Sequence, residues 1–373
     1  MCSEVPSPVE IAAELEKRVI GQTEAVREMA VALSKKLGGV SVGNILMIGS
    51  SGSGKTTLMR AVEAYLSSNE ALADRSTTIR VHANVLAEDA ATEHRGQVLL
   101  DRLIHRARQQ LGTASTVESV VDRASNGLVF VDEVDKIRSR IGGVANTDGI
   151  RAQEALLTLI ENESVPCTLP SWAGGDLINI DSRGILFVCA GAFEGLYDAV
   201  YDRVTVGRDR GALKAVTVME EGEVREEMSF SLRDWLQNQD LFDYGMTPQF
   251  LSRFDAVVLL NVLGTDDLVT IFLESPESGF VETRDYFASR GIDLAISPSA
   301  VRRIAQEAAR QPRIGARALK EAFRRVIRDY EFDPSLIERS SGQAIMIDLP
   351  EVEAALGVRA VGNGPSPGRQ TSL

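Results

Sequence analysis

Cysteine is scarce in this chain. Cys2, Cys167 and Cys189 are the three in 373 residues, with no CxxC pair and no Cys/His cluster. That excludes a disulfide framework and a recognisable zinc module, and it fits a reducing cytosol. Histidine is equally sparse: His82, His94 and His105 lack metal-ligand spacing, so each reads as a solvated or capping side chain. No apolar run approaches the roughly 18 residues that a spanning helix needs, and Met1-Cys2-Ser3-Glu4-Val5-Pro6 is no signal peptide. The expected location is therefore the cytoplasm, with no membrane partner. Basic residues are outnumbered, 40 Lys and Arg against 53 Asp and Glu, for a net charge of −13. A general nucleic-acid surface needs the opposite balance, because it must displace counterions from phosphates. A local basic patch stays open.

What is present is an ordinary globular composition, 44% hydrophobic and 25% charged, in a length that suggests two or three domains. The most informative stretch starts at Asn44-Ile45-Leu46-Met47-Ile48, an apolar run of strand length. It feeds Gly49-Ser50-Ser51-Gly52-Ser53-Gly54-Lys55-Thr56-Thr57, which opens into the helical pattern from Leu58 to Leu66. Strand, glycine-rich turn and helix are the context of a phosphate-binding loop. The glycines let backbone N–H groups point inward, Lys55 adds a positive charge, and the Thr56 hydroxyl suits Mg²⁺. The competing reading is a chance match in a glycine-containing turn.

A second run, Gly127-Leu128-Val129-Phe130-Val131-Asp132-Glu133-Val134-Asp135-Lys136, has the continuous apolar character of a central parallel strand and ends in acids. Open α/β sheets place their ligands at that end. This is the form of a Walker B element: Asp132 for Mg²⁺, and Glu133 to orient and polarise the attacking water. Val19 and Ile20, at a turn before an amphipathic helix running to about Leu37, are candidates for packing on the adenine face. The bland alternative is a helix N-terminus capped by Thr23.

Helical periodicity also marks 9–17, 96–110 and 151–163, and strands are expected at 77–82, 184–191 and 256–261. Val216 to Val224 suggests a hairpin with an acidic tip. After Leu263-Gly264 the pattern turns mainly helical, at 266–274, 279–289, 298–310 and 315–330, closed by a strand at 344–349. The boundaries expected are a leader at 1–16, a large α/β domain at 17–262, a small α-rich domain at 263–352 and a disordered tail at 353–373. Arg253, before the last strand of the large domain, and Arg317, opening a long helix, are by themselves ordinary solvated arginines.

The ordered set Val19-Ile20-Gly21-Gln22, Asp132-Glu133-Val134-Asp135-Lys136-Ile137, Gln153 to Glu161, Ile185 to Phe193, Pro248 to Arg253 and Gly315-Ala316-Arg317 resembles the ClpX branch of the AAA+ ATPases, with HslU close behind. The likeness covers about residues 17–350. It implies a P-loop α/β domain with a parallel sheet, a helical lid, ATP and Mg²⁺ as ligands, and a homohexameric ring acting on a protein substrate. Arg253 matches the family's arginine finger, which reaches ATP in the neighbouring subunit, and Arg317 matches its sensor-2 arginine.

The chain also departs from that family. Ala90-Ala91-Thr92-Glu93 stands where ClpX carries a pore aromatic. No Ile-Gly-Phe tripeptide for docking on ClpP occurs within 205–216. Pro166 to Gly175 replaces the Arg-Lys-His loop, no polar sensor-1 residue stands near Cys189, and the zinc domain is missing. The expected function is thus ATP-driven unfolding or remodelling of a protein partner, without ClpP. The alternative from another class is a nucleotide-switched regulatory or assembly ATPase that does not thread its partner, and a nucleic-acid motor suffers from the acidic balance.

Overall fold

The computed structural model describes residues 5–68, 72, 76–89, 96–161, 164–205, 214–220, 223–229, 231–333 and 344–357. The chain divides into two compact units, Met1–Asn261 and Val262–Leu373.

The first unit begins with helices α1 (Pro8–Glu16) and α2 (Thr23–Leu37), followed by β1 (Asn44–Ile48) and α3 (Lys55–Ser68). Strand β2 (Thr78–His82) leads to α4 (Asn84–Asp89), α5 (Gln97–Leu111), α6 (Val117–Ser125) and β3 (Leu128–Asp132). A short hairpin, β4 (Arg140–Ile141) with β5 (Val144–Ala145), precedes α7 (Thr147–Glu161). A second, β6 (Val165–Thr168) with β7 (Leu177–Ile180), precedes β8 (Leu186–Gly191) and α8 (Leu196–Thr205). The antiparallel pair β9 (Lys214–Glu220) and β10 (Glu223–Ser229) and the short helices α9 (Leu232–Trp235), α10 (Asn238–Tyr244) and α11 (Pro248–Leu251) lead to β11 (Phe254–Leu259).

Five strands form one sheet in the order β11-β1-β8-β3-β2, and every pairing is parallel. Every residue of β3 and β8 is buried, which explains their unbroken apolar sequences. The two-residue pleat period sorts β1 between two cores. Ile45 and Met47 join α1, α2 and α3 on one face, while Leu46 and Ile48 join α5, α6 and α7 on the other. This is an α/β fold with helices on both faces of a parallel sheet.

Two expectations change. Residues 1–16 were expected as a leader, yet α1 buries Ile11 and Leu15 completely in the core shared with α2 and α3. Its start is fixed by a capping box, with Ser7 Oγ accepting from the Glu10 N–H and the Glu10 carboxylate accepting from the Ser7 N–H at 2.8 Å. The tail expected from 353 begins with helix, because α16 (Leu349–Gly357) buries Val352 and Leu356; the remaining tail residues lie outside the described set. Helix α7 also starts earlier than its apolar stripe, at Thr147 with Asp148 in the first turn, where a carboxylate favours the helix N-terminus.

The second unit packs α12 (Thr265–Glu274), α13 (Gly279–Ala288), α14 (Pro298–Ala309), α15 (Arg317–Phe332) and α16 around its own core. It also holds a parallel pair, β12 (Asp293–Ile296) with β13 (Ala344–Ile347). Phe272, Phe280 and Phe323 meet at its centre, Phe272 and Phe323 edge to face at 5.1 Å. Among the described residues no helix is long and apolar enough to cross a membrane.

Candidate functional site

Strands β1, β8 and β3 are neighbours and run the same way, so the loops after β1 and β3 emerge at one end of the sheet. After β1 the chain must turn sharply into α3. Gly52 and Gly54 make that turn at φ of 70° and 106°, in the left-handed region that favours glycine. Gly49 is required for a different reason: a Cβ there would lie 2.7 Å from both the Leu260 Cβ and the Ser53 hydroxyl.

Lys55, only 8% exposed, lays its ammonium across the loop and donates to the carbonyls of Gly49 at 2.6 Å and Ser50 at 2.8 Å. Thr56, one residue on, donates its hydroxyl to Asp132 Oδ2 at 3.1 Å, and Asp132 Oδ1 accepts from the Glu133 N–H at 2.9 Å. The structure thus joins the two motifs through Thr56 and Asp132. Ser50 and Ser51 are half-buried, Ser53 is buried with no hydrogen-bond partner for its hydroxyl, and Thr57 is exposed.

Glu133 adopts φ 59° and ψ 36°, a left-handed conformation uncommon outside glycine. This turns the chain out of β3 directly after Asp132. His82, paired with Asp132 across the β2–β3 register, holds Nδ1 3.8 Å from Glu133 Oε2.

Val19 is 4% exposed within the core of α1, α2 and α3, whereas Ile20 is half-buried. Arg253 lies apart from the phosphate loop. Its carbonyl accepts from the Asn44 side chain at 3.2 Å, which fixes it beside the N-terminal end of β1, while the loop leaves the C-terminal end. Five strand residues separate the two ends by roughly 15 Å. The Arg253 guanidinium is ion-paired with Glu161, the last residue of α7. Arg317 is exposed at the start of α15 in the second unit.

Three polar residues, two beside the phosphate loop and one beside Arg253, did not stand out in the sequence. Gln22, 1% exposed, donates to the carbonyls of Ser53 at 2.8 Å and Asn261 at 2.9 Å and accepts from the Asn261 N–H at 2.8 Å. Asp135, 2% exposed, accepts from the Ala192 N–H at 3.1 Å, linking the acidic turn after β3 to the end of β8. Glu161 is the partner of Arg253. The sequence hint was that each sits inside a stretch that carries the resemblance: Gln22 in Val19 to Gln22, Asp135 in Asp132 to Ile137 and Glu161 at the end of Gln153 to Glu161.

The β6–β7 hairpin is folded against α5. The Gln97 amide both donates to and accepts from the Thr168 backbone at 2.9 Å, and the Arg108 guanidinium lies 3.8 Å from the Trp172 ring centroid. Residues 90–93 and 206–213, which bear on the pore aromatic and the docking tripeptide, lie outside the described residues.

The family model for the AAA domain (Cdc48 subfamily) matches residues 40–257, which contain the phosphate loop, Asp132, Glu133 and Arg253. The ATP-dependent Clp protease ATP-binding subunit ClpX of Treponema denticola is 29% identical over 352 residues, spanning 89% of this chain and 78% of that protein. ClpX 3 of Methylococcus capsulatus is 28% identical over 384 residues, spanning 96% and 82%. ClpX of Borrelia duttonii is 28% identical, spanning 88% and 75%. With the family model covering more than half of its length, and the ClpX likeness running through both of its units, the chain belongs to the AAA domain (Cdc48 subfamily) family and is a ClpX-like AAA+ ATPase.

Proposed function

We propose that the protein works as a homohexameric ring in which each subunit binds ATP at its own phosphate loop and completes its neighbour's site with Arg253. The observation that carries this reading is the separation of Arg253 from the loop along the length of β1. An arginine so placed serves a γ-phosphate only in another subunit, where its guanidinium stabilises charge on the transferring phosphoryl group.

Within one subunit, the loop N–H groups and Lys55 hold the phosphates, and Ile20 offers an apolar edge to the base. Gln22 fixes the loop against the end of the large domain. The Thr56 hydroxyl and the Asp132 carboxylate, 3.1 Å apart, are hard oxygen donors that fit Mg²⁺. When bound, Mg²⁺ neutralises charge on the phosphate oxygens. Glu133 accepts a hydrogen bond from the attacking water and takes up its proton, and Arg317, exposed at the start of α15, is the sensor-2 candidate.

The work done is remodelling of a protein partner in the cytoplasm. Small and acidic residues at 90–93 offer little grip on an apolar chain, and the absent tripeptide supports an action independent of ClpP. Stimulation of ClpP degradation of an unfolded substrate would overturn that part.

The test of the ring is mass and ATPase rate measured together on wild type and on Glu133→Gln with ATP. The variant is expected to trap a hexamer and to lose at least about a hundredfold in turnover. A wild type that neither assembles nor hydrolyses ATP under any nucleotide condition refutes the ring.

A further inference from the structure

A groove rich in arginine lies away from the nucleotide loop, on the edge of the sheet. Strand β2 ends the sheet, so its outer backbone groups have no strand partner among the described residues. Between α3 and α5 this edge floors a groove of about 800 Å³. Arg60, Arg80, Arg102 and Arg106 line it against the carboxylates of Glu63 and Asp101. His105 adds a fifth basic side chain on the same wall.

This concentration is unusual for a chain of net charge −13. Arg102 and Arg106 are four apart on α5, so they stack on one face and repel each other, a pairing that weakens a helix rather than supporting it. Arg80 is exposed on β2 and faces the same groove. Ser76, itself 4% exposed, and Thr78 bring to the lining hydroxyls that have no hydrogen-bond partner among the described residues. Buried hydroxyls are normally paired.

We propose that this groove binds an extended acidic segment of a protein partner, which adds to the free edge of β2 and places its carboxylates among the arginines. Charge selects an anionic ligand. The strand edge then selects polypeptide, because only a peptide backbone completes the row of N–H and C=O groups that an edge strand presents. A nucleic-acid backbone carries the charge but not that row of donors and acceptors.

The probe is a fluorescent peptide of alternating Glu and Val, titrated onto the full chain and followed by anisotropy. Binding is expected to weaken with added salt and to weaken about tenfold in the double variant Arg80→Gln/Arg106→Gln, the loss of two partly screened charge contacts. Circular dichroism and ATPase rate report whether that variant is folded; neither arginine belongs to the nucleotide site. If the variant does not fold, the wild type decides alone, because the same peptide N-methylated at alternate residues keeps its charges but loses its edge hydrogen bonds and is expected to bind poorly. Equal binding of the methylated peptide, unchanged binding by a folded variant, or no binding by the wild type overturns the proposal. Displacement of the peptide by a single-stranded oligonucleotide that binds more tightly overturns it in favour of nucleic acid.

Discussion

A single amide, that of Gln22, reaches parts of the chain 31 and 239 residues away from it, the Ser53 turn of the phosphate loop and Asn261 at the end of the first unit. The Ser53 carbonyl is a buried backbone group whose partner would be lost in Gln22→Ala, at a cost of about 1–3 kcal/mol when nothing replaces it, whereas the backbone groups of the exposed Asn261 can turn to water. The loop is the element most exposed to that loss. We expect Gln22→Ala to raise the dissociation constant for ATP by about tenfold or more, measured by titration calorimetry, while the sheet keeps its circular dichroism. Unchanged affinity would show that the loop holds its shape without the amide. This residue also marks where reading the sequence stops. The glycines, Lys55 and Thr56 were legible because a tight turn around phosphates constrains neighbouring positions. The work of Gln22 depends on contacts made only after the chain has folded, and the same holds for Asp135 and for Glu161.

Elements were legible in proportion to how far local pattern decides them. The central strands β1, β3 and β8 and the long helices follow from apolar runs and stripes, because a strand buried on both faces and a helix buried on one have no other solution. The short helices α9, α10 and α11 escaped, since four to seven residues show no periodicity. So did β12, where only Leu294 is buried. Helix α1 is the instructive case. Its periodicity was plain, but its place in the core was not, because nine residues that begin with one proline and follow another resemble a loose leader. Ile11 and Leu15 are both fully buried, and burying side chains of this kind contributes roughly 1.5–3 kcal/mol each. Removing residues 1–16 is therefore expected to lower the melting temperature of the first unit by several degrees or more, and to do so without touching the phosphate loop. A melting curve indistinguishable from wild type would return α1 to the status of a leader.

At the scale of the molecule, one subunit joins its phosphate loop to Asp132 and Glu133 but keeps Arg253 at a distance from them. Arg253 stands beside the start of β1, where its guanidinium rests against Glu161, and the phosphate loop leaves the other end of the same strand. Two variants separate the halves of this arrangement. Arg253→Ala keeps a competent phosphate loop and Glu133 but offers its neighbour nothing; Glu133→Gln keeps the arginine but has a dead site. Each alone is expected to fall at least about a hundredfold in ATPase rate. In a mixed ring, a site recovers wherever an Arg253→Ala subunit sits against a Glu133→Gln subunit that supplies the missing guanidinium. With equal amounts and random order in a closed ring, about a quarter of the sites are so placed, and the mixture is expected to approach a quarter of the wild-type rate. An arginine acting within its own subunit gives no recovery at any ratio, because no chain in the mixture then carries both groups. Mass measurement on the mixture shows whether mixed rings have formed, so an absence of recovery in rings known to be mixed removes Arg253 from the trans role and leaves its ion pair with Glu161 as a structural contact of the large unit.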